Sequence, residues 1–358
     1  TLFSNMSDWN PAEMIGDKPS PLAISLYKEL ITNFVWSKQR YEYGYKNCNS
    51  NVLMFDFLGS PYIDLRTDLN SFLPLKLDKI ISNKAINYYI KKIKEKKHLH
   101  DKIEFEVIET CYTPATNKKL RKFLNESDAH KYTNFLRDIT NNIINNDLLE
   151  KDISKIQIFE IELNKINDSN YASIEKIYKY VNLIKEYGSL PFAGIARCAF
   201  ISKTILDYLI NKKLLSKHDY AYFFKTLHTV NNKLNHDLNL LKKKLITKKS
   251  FLNKYGHIRP SMYDINSKNY KEAFKYYFDL KKINYSKNNK HKKKIFNIKN
   301  HEFIKLGYNF NITKFYNFCF KSIENRENSK NTLSKGINLI FEELKKIGHE
   351  LNIKKNDL

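Results

Sequence analysis

Four short segments carry polar side chains that the surrounding hydrophobic pattern does not require. In the first, Ser7-Asp8-Trp9-Asn10-Pro11-Ala12-Glu13, Asn10 suits a helix N-cap, Pro11 the first helical position and Glu13 the third, which together make a capping box. Asp8 and Trp9 are not explained that way, and a carboxylate beside a large aromatic ring can hold an amine or an amide. The second segment, Gly59-Ser60-Pro61-Tyr62-Ile63-Asp64-Leu65-Arg66, puts Tyr62, Asp64 and Arg66 on one face if it is a strand. Asp64 and Arg66 can pair with each other, or Arg66 can offer its planar fork to a carboxylate or phosphate that Asp64 orients. In the third, Gly188 to Phe200, Arg197 is the sole charge between Leu190 and Ser202. A guanidinium in such apolar surroundings needs a carboxylate partner or a bound anion. The fourth, Tyr255-Gly256-His257-Ile258-Arg259-Pro260-Ser261-Met262-Tyr263-Asp264-Ile265, is a loop by its Gly, Pro and Ser content. It crowds His257, Arg259, Tyr263 and Asp264 together. His257 can act as a general acid or base or meet a phosphoryl oxygen, or it can be a hydrogen-bonding turn residue. Glu324-Asn325-Arg326-Glu327 reads as a pair network on a helix surface.

The elements that must position these groups are mostly helices. Apolar residues recur at helical spacing from Pro21 to Lys38, with Ser20 as N-cap. Further helices are expected near 77–98, 117–147, 150–166, 170–187, 191–214, 216–250, 300–328 and 332–348. Residues 52–57 and 62–66 read as two short strands around a turn, and a third strand is expected at 102–113. The fold class is therefore mainly α (α+β), a multi-helix domain with a small antiparallel β element in the N-terminal third. The lysine/asparagine run 281–299 reads as a mobile basic surface loop.

Composition narrows the function. The 358 residues carry 62 Lys and Arg against 38 Asp and Glu, a net charge of +24. Only seven of those 62 cations are arginine. Base-edge readout and bidentate phosphate clamps favour arginine, so a lysine coat reads first as a solvated surface. In such a chain a surviving arginine is favoured over lysine where the planar fork is needed. Nine glycines are well under half the usual ~7%, and neither G-x-G-x-x-G nor a P-loop is present. The four cysteines form no C-x-x-C pair and read as reduced thiols of a cytoplasmic protein, and no metal-binding motif occurs. The most apolar stretch, Leu190 to Ile210, is interrupted by Arg197, Lys203 and Asp207, so no membrane span is expected.

The motifs Ser7-Asp8-Trp9-Asn10-Pro11-Ala12-Glu13-Met14-Ile15-Gly16, Pro61 to Arg66, Leu190 to Arg197 and Tyr255 to Pro260, in this order and over nearly the whole chain, resemble the central region of phosphoenolpyruvate-synthase-like (PEP-utilising) phosphotransferases. Among these, the chain resembles the L-glutamine kinases of capsular phosphoramidate synthesis. The resemblance implies an ATP-grasp domain, this middle domain, and a swivelling domain whose phosphorylated histidine carries the β-phosphoryl group of ATP to the acceptor. In the glutamine kinases that acceptor is a side-chain amide nitrogen. Residues 1–358 would then be a single acceptor-binding middle domain, with 1–115 holding the β element and 116–358 helical, in an enzyme of capsule or surface polysaccharide modification. ATP and Mg2+ would bind outside this chain, which lacks an ATP-grasp-like site and a phosphohistidine motif. It begins at Thr1 rather than Met and reads as a piece of something longer; without the ATP-grasp and phosphohistidine domains it is expected to be inactive alone.

A zwitterionic acceptor needs an arginine for its carboxylate and a carboxylate for its ammonium. Arg66 or Arg197 is expected in the first role and Asp8 or Asp64 in the second, with Trp9, Asn10, Glu13, Tyr62, Tyr263 and Asp264 lining the site. His257 and Arg259 are expected to face the incoming phosphoryl group as the catalytic pair. Asp8, Arg66, Arg197 and Arg259 should then converge on one pocket. Two other readings of the residues stay open: a basic helical nucleic-acid-binding module, and a non-catalytic scaffold of the same family.

Overall fold

In the computed structural model, which describes residues 2–7, 9–280 and 295–353, strand β1 (Phe3–Ser4) is followed by α1 (Pro11–Ile15), α2 (Pro21–Tyr27) and α3 (Val35–Glu42). Next come the hairpin β2 (Met54–Phe57) and β3 (Ser60–Asp64), then α4 (Leu65–Ser71), α5 (Lys79–Glu95), α6 (Thr116–Leu120) and α7 (Glu126–Asn145). The chain continues through α8 (Leu148–Asn167), α9 (Ser173–Leu183), α10 (Leu190–Asn211), α11 (Lys217–Lys225), α12 (Val230–Lys242) and α13 (Lys248–Tyr255). It ends with α14 (Phe274–Tyr277), α15 (Asn300–Ile304) and α16 (Ile312–Glu350). The fold is mainly helical with a small antiparallel sheet near the N-terminus. Its strand order is β1-β3-β2, with Phe3 opposite Asp64 and Met54 opposite Ile63.

Local chemistry sets most helix starts. Asn10, Ser20, Asp78, Asn125, Ser216, Thr229, Thr247 and Asn311 each accept a first-turn backbone N–H through the side chain. Those caps also explain where the expected long helices break. The span 216–250 holds parts of three helices, because Ser216, Thr229 and Thr247 each begin a new one, and 117–147 divides at Asn125. The Pro21-to-Lys38 helix is interrupted by a π-helical stretch, Lys28–Thr32, before α3.

The strand expected at 102–113 does not form. Ile103–Val107 is a π-helical turn instead. Ile103 and Val107, four apart, are buried on its inner side together with Glu104, so an apparent alternation was a helical repeat. Strand β3 stops at Asp64, whose carboxylate caps α4 by accepting the Arg66 N–H at 2.9 Å. Arg66 is therefore on a helix, and the shared face with Tyr62 and Asp64 is lost. Of the run 281–299, residues 281–294 lie outside the described residues, while Phe296 and Ile298 are buried in the core.

Two apolar clusters make up most of the core. One joins α5, α7, the C-terminal half of α10 and the start of α16. The other joins α2, the end of α8, α9 and the C-terminal half of α16. A satellite cluster holds α12, α13 and Phe274. Helix α16, 39 residues long and so about 58 Å at 1.5 Å per residue, runs through both main clusters. The polar stretch near 329–331, expected to separate two helices, lies inside it. Between Phe320 and Leu333 only Ser322 and Ser329 are buried, so the polar residues there face away from the core without ending the helix. The segment Ser173–Asn211 is long and apolar enough to cross a membrane, but 78% of its most apolar window is buried inside the fold. All four cysteines are free and buried.

Candidate functional site

Where the two main clusters part, α10 and the polar middle of α16 border a cavity of about 260 Å³. Its other walls are the N-terminal segment Met6 to Met14 and the turn around Glu104. Arg197 reaches it from α10, Arg40 from α3 and Arg326 from α16. Three of the chain's seven arginines thus line one small space, with Lys330, Glu13, Asp101 and Glu104 as the other charged residues.

The inner end is a buried ion cluster. The Arg197 guanidinium donates to Glu104 Oε2, with the two side chains 1% and 7% exposed. Arg40 Nη2 stands 3.8 Å from the other oxygen of Glu104, and its Nη1 donates to Gln39 Oε1 at 2.8 Å. Both guanidinia lie against the ring of Phe72, Arg40 at 4.1 Å and Arg197 at 5.1 Å from its centre. Stacking on a ring leaves guanidinium edges for hydrogen bonds, which ammonium groups cannot match. Arg197 and Arg326 also approach Phe200, at 5.4 and 5.0 Å.

Behind this wall Gly194 permits a close approach. A Cβ there would sit 1.8 Å from Asp152 Oδ2, the oxygen that accepts the Tyr43 hydroxyl at 2.6 Å. The same hydroxyl is 3.8 Å from Cys198 Sγ. This contact joins the C-cap of α3 to α8 and α10, with Tyr43 and Gly194 each one helical turn along the chain from Arg40 and Arg197. Burial raises the Asp152 carboxyl to about 7.

The N-terminal wall is held from three sides. β1 pairs with β3. Asn10 Oδ1 accepts the Glu13 N–H while Asn10 Nδ2 donates to Glu13 Oε2 at 2.8 Å, so the capping role of this pair is realised. The Tyr27 hydroxyl donates to the Trp9 carbonyl. These bonds hold Trp9 and Asn10 at φ of +65° and +26°, a region that costs a non-glycine residue about 1–3 kcal/mol. The turn presents Ser7, Trp9, Asn10 and Glu13 to the cavity. The Ser7 hydroxyl and the Trp9 indole nitrogen are sealed from solvent without a hydrogen-bond partner.

The expected convergence is therefore partial. Trp9, Asn10, Glu13 and Arg197 meet at the cavity, and Asp8 lies outside the described residues. Tyr62 packs on Phe57 in the hairpin, ring centres 5.7 Å apart, Asp64 caps α4, and Arg66 is exposed with Asn87 Oδ1 at 3.3 Å. None of these three lines the cavity.

The fourth segment is a strap on α16. His257 Nε2 is 3.2 Å from the Asn331 carbonyl. Arg259 donates to Asn338 Oδ1 and to the Asp264 carbonyl, and lies over Phe341 at 4.9 Å. The Asp264 carboxylate closes a turn on Asn266 N at 2.8 Å. Tyr263 is buried edge-on to Tyr27, 5.4 Å between centres, and so supports the Trp9 turn from behind. Burial lowers His257 to about 4, so it is neutral at pH 7 and offers a phosphoryl group no charge.

Ser7, Arg40, Asp101, Glu104, Arg326 and Lys330 were not singled out from sequence as site residues. The scarcity of arginine carried a usable signal for Arg40 and Arg326; Arg326 has no carboxylate partner among the described residues, unlike the pair network expected there. A second groove of about 580 Å³ borders α5, and three of its five lysines are engaged: Lys119 with Glu109 at 2.9 Å, Lys91 with Glu95 at 3.8 Å, and Lys92 with the Glu106 carbonyl.

No family model, curated protein or solved structure matches the chain.

Among the described residues no cluster of His, Cys, Asp or Glu could hold a metal ion.

Proposed function

We propose that the cavity binds a small zwitterionic acceptor of a phosphoryl transfer, with an amino acid carrying a side-chain carboxamide, L-glutamine first, as the candidate. The meeting of Arg40, Arg197 and Arg326 in one small space, in a chain with only seven arginines among 62 Lys and Arg, carries this reading. The acceptor carboxylate would lie at the Arg197 and Arg40 end, where planar forks are already oriented by Glu104 and Phe72. Its ammonium would meet Glu13 or Asp101, the remaining carboxylates of the lining.

In this reading the chain is the acceptor-binding part of an ATP-dependent, phosphoenolpyruvate-synthase-like phosphotransferase of capsule or surface polysaccharide modification. A phosphohistidine module would deliver the group, and ATP with Mg2+ would bind to an ATP-grasp module. Four free, buried thiols support placing it in the cytoplasm. The arginines gather in a cavity rather than along an exposed face, which favours a small anionic ligand over a nucleic acid.

Calorimetric titration of the 358-residue chain with L-glutamine, L-glutamate and L-lysine tests the proposal. Saturable binding of L-glutamine is expected, weakened at least about tenfold by Arg197→Lys, which keeps the charge and loses the fork, and unchanged by Arg66→Lys. Equal affinity in Arg197→Lys and wild type overturns the assignment. Binding of RNA with a steep salt dependence, and of no amino acid, would replace it with the nucleic-acid reading.

A further inference from the structure

Arg326 and Lys330 stand one helical turn apart on α16 and line the cavity together with Ser7 and Trp9. Two cations at i,i+4 repel each other by a few tenths of a kcal/mol, and nothing among the described residues neutralises them. The Arg326 guanidinium lies over the Phe200 ring at 5.0 Å, and neither it nor Lys330 has a carboxylate partner among the described residues. Elsewhere on the same helix lysines are paired: Lys321 with Glu150 at 3.0 Å, Lys345 with Glu272 at 2.7 Å and Lys346 with Glu343 at 2.7 Å. Lys314 donates to the Asn145 carbonyl at 3.2 Å and Lys335 to Asn164 Oδ1 at 3.0 Å. Among the described lysines and arginines of this helix, Arg326 and Lys330, beside the cavity, are thus the ones with neither a carboxylate nor an amide oxygen as side-chain partner.

A second observation is independent of α16. Ser7 is 5% exposed, and its hydroxyl and the Trp9 indole nitrogen are both buried without a partner. A buried polar group left unbonded costs about 1–3 kcal/mol, which a ligand oxygen would relieve. The four groups can all donate hydrogen bonds, and three of them only donate. That set suits an anion rich in acceptor oxygens. The carboxylate of an amino acid is already served by Arg197 and Arg40 at the buried end, whereas Lys330 is exposed and Arg326 half-buried.

We infer that Arg326 and Lys330, with Ser7 and Trp9, form a phosphoryl-oxyanion subsite at the outer end of the cavity. The inference rests on the acceptor-site reading above and puts the incoming phosphoryl group at α16 rather than at His257 and Arg259. The terminal oxygens of a tetrahedral phosphoryl group carry the negative charge that such cations stabilise. Two sources share this chemistry: a phosphoryl group on a protein histidine, and a free phosphate.

The test is titration of the 358-residue chain with phosphoramidate, which carries the P–N bond of phosphohistidine, and separately with inorganic phosphate, at ionic strength held constant with KCl. Wild type is expected to saturate with at least one. Arg326→Gln and Lys330→Gln should each weaken binding about tenfold, and Ser7→Ala severalfold. Thermal unfolding of Lys330→Gln should match wild type, since no ion pair is lost. Tighter phosphoramidate binding assigns the group to a P–N donor and the reverse order to free phosphate; either supports the subsite. Undiminished affinity in the Arg326→Gln/Lys330→Gln double variant, or a wild type that binds neither anion, overturns it. L-glutamine titrated into the same variants keeps the two readings separate: unchanged glutamine affinity leaves the acceptor site standing whatever the phosphoryl result.

Discussion

Glu104 and Arg197, 93 residues apart in sequence, form a hydrogen-bonded ion pair in the cavity wall with both side chains almost wholly withdrawn from solvent. The pair joins a π-helical turn to α10. It therefore fixes the arginine fork while tying together two parts of the fold that share no local interaction. Removing one member strands a buried charge, which costs about 3–5 kcal/mol.

Glu104→Gln should accordingly lower unfolding free energy by about 3 kcal/mol or more. Urea denaturation monitored by circular dichroism measures it. A change below about 1 kcal/mol, the range of exposed pairs, would show that water reaches the pair.

Gly194→Ala places a methyl group where the Asp152 carboxylate lies. Overpacking of this kind costs about 1–3 kcal/mol. Because the displaced contact braces α10 one turn before Arg197, amino-acid affinity should fall together with the melting temperature. A variant as stable as wild type would mean that Asp152 moves aside freely.

Asp152 also makes stability depend on pH. Its carboxyl is raised from 3.8 to about 7 by burial, so the folded state holds the proton more tightly than the unfolded chain does. The contribution is complete below about pH 4 and is lost as pH rises through about 7; at ~1.4 kcal/mol per pKa unit the swing is a few kcal/mol. In Asp152→Asn the difference in unfolding free energy between pH 4.5 and 7.5 (~3 pH units) should shift toward greater relative stability at the higher pH. Parallel curves for variant and wild type would contradict this.

His257 acts in the opposite sense. Burial depresses it from 6.5 to about 4, so its contribution is present above 6.5 and lost as pH falls through about 4. His257→Gln should blunt the acid-side loss of stability. Neither this variant nor Arg259→Met should alter amino-acid affinity, although Arg259→Met should destabilise by about 1–3 kcal/mol through the bonds lost to Asn338 and Asp264. A selective loss of binding in His257→Gln, with stability intact, would return the loop to the site.

What the amino-acid order determined unaided is local. Asn10 with Glu13, Ser20 with Pro21, and the hairpin around Gly59 could be read directly, because a cap or a tight turn is settled by residues within three or four positions of one another. The need of Arg197 for an anionic partner was legible too, since a lone guanidinium among apolar neighbours is costly anywhere in a fold. Which partner it takes was not. Glu104 looked like one acid in an alternating strand, and only packing of its turn against α10 reveals a helical repeat with the carboxylate turned inward. Arg326 and Lys330 carried no local sign of facing a cavity, because their side of α16 is defined by the two apolar clusters at its ends. The side chains of the dense polar loop at Tyr255 to Ile265 are likewise engaged by Asn331, Asn338 and Phe341, which reach it only through the tertiary fold. Caps and turns depend on short-range geometry, whereas a pocket exists only where distant segments close on one another.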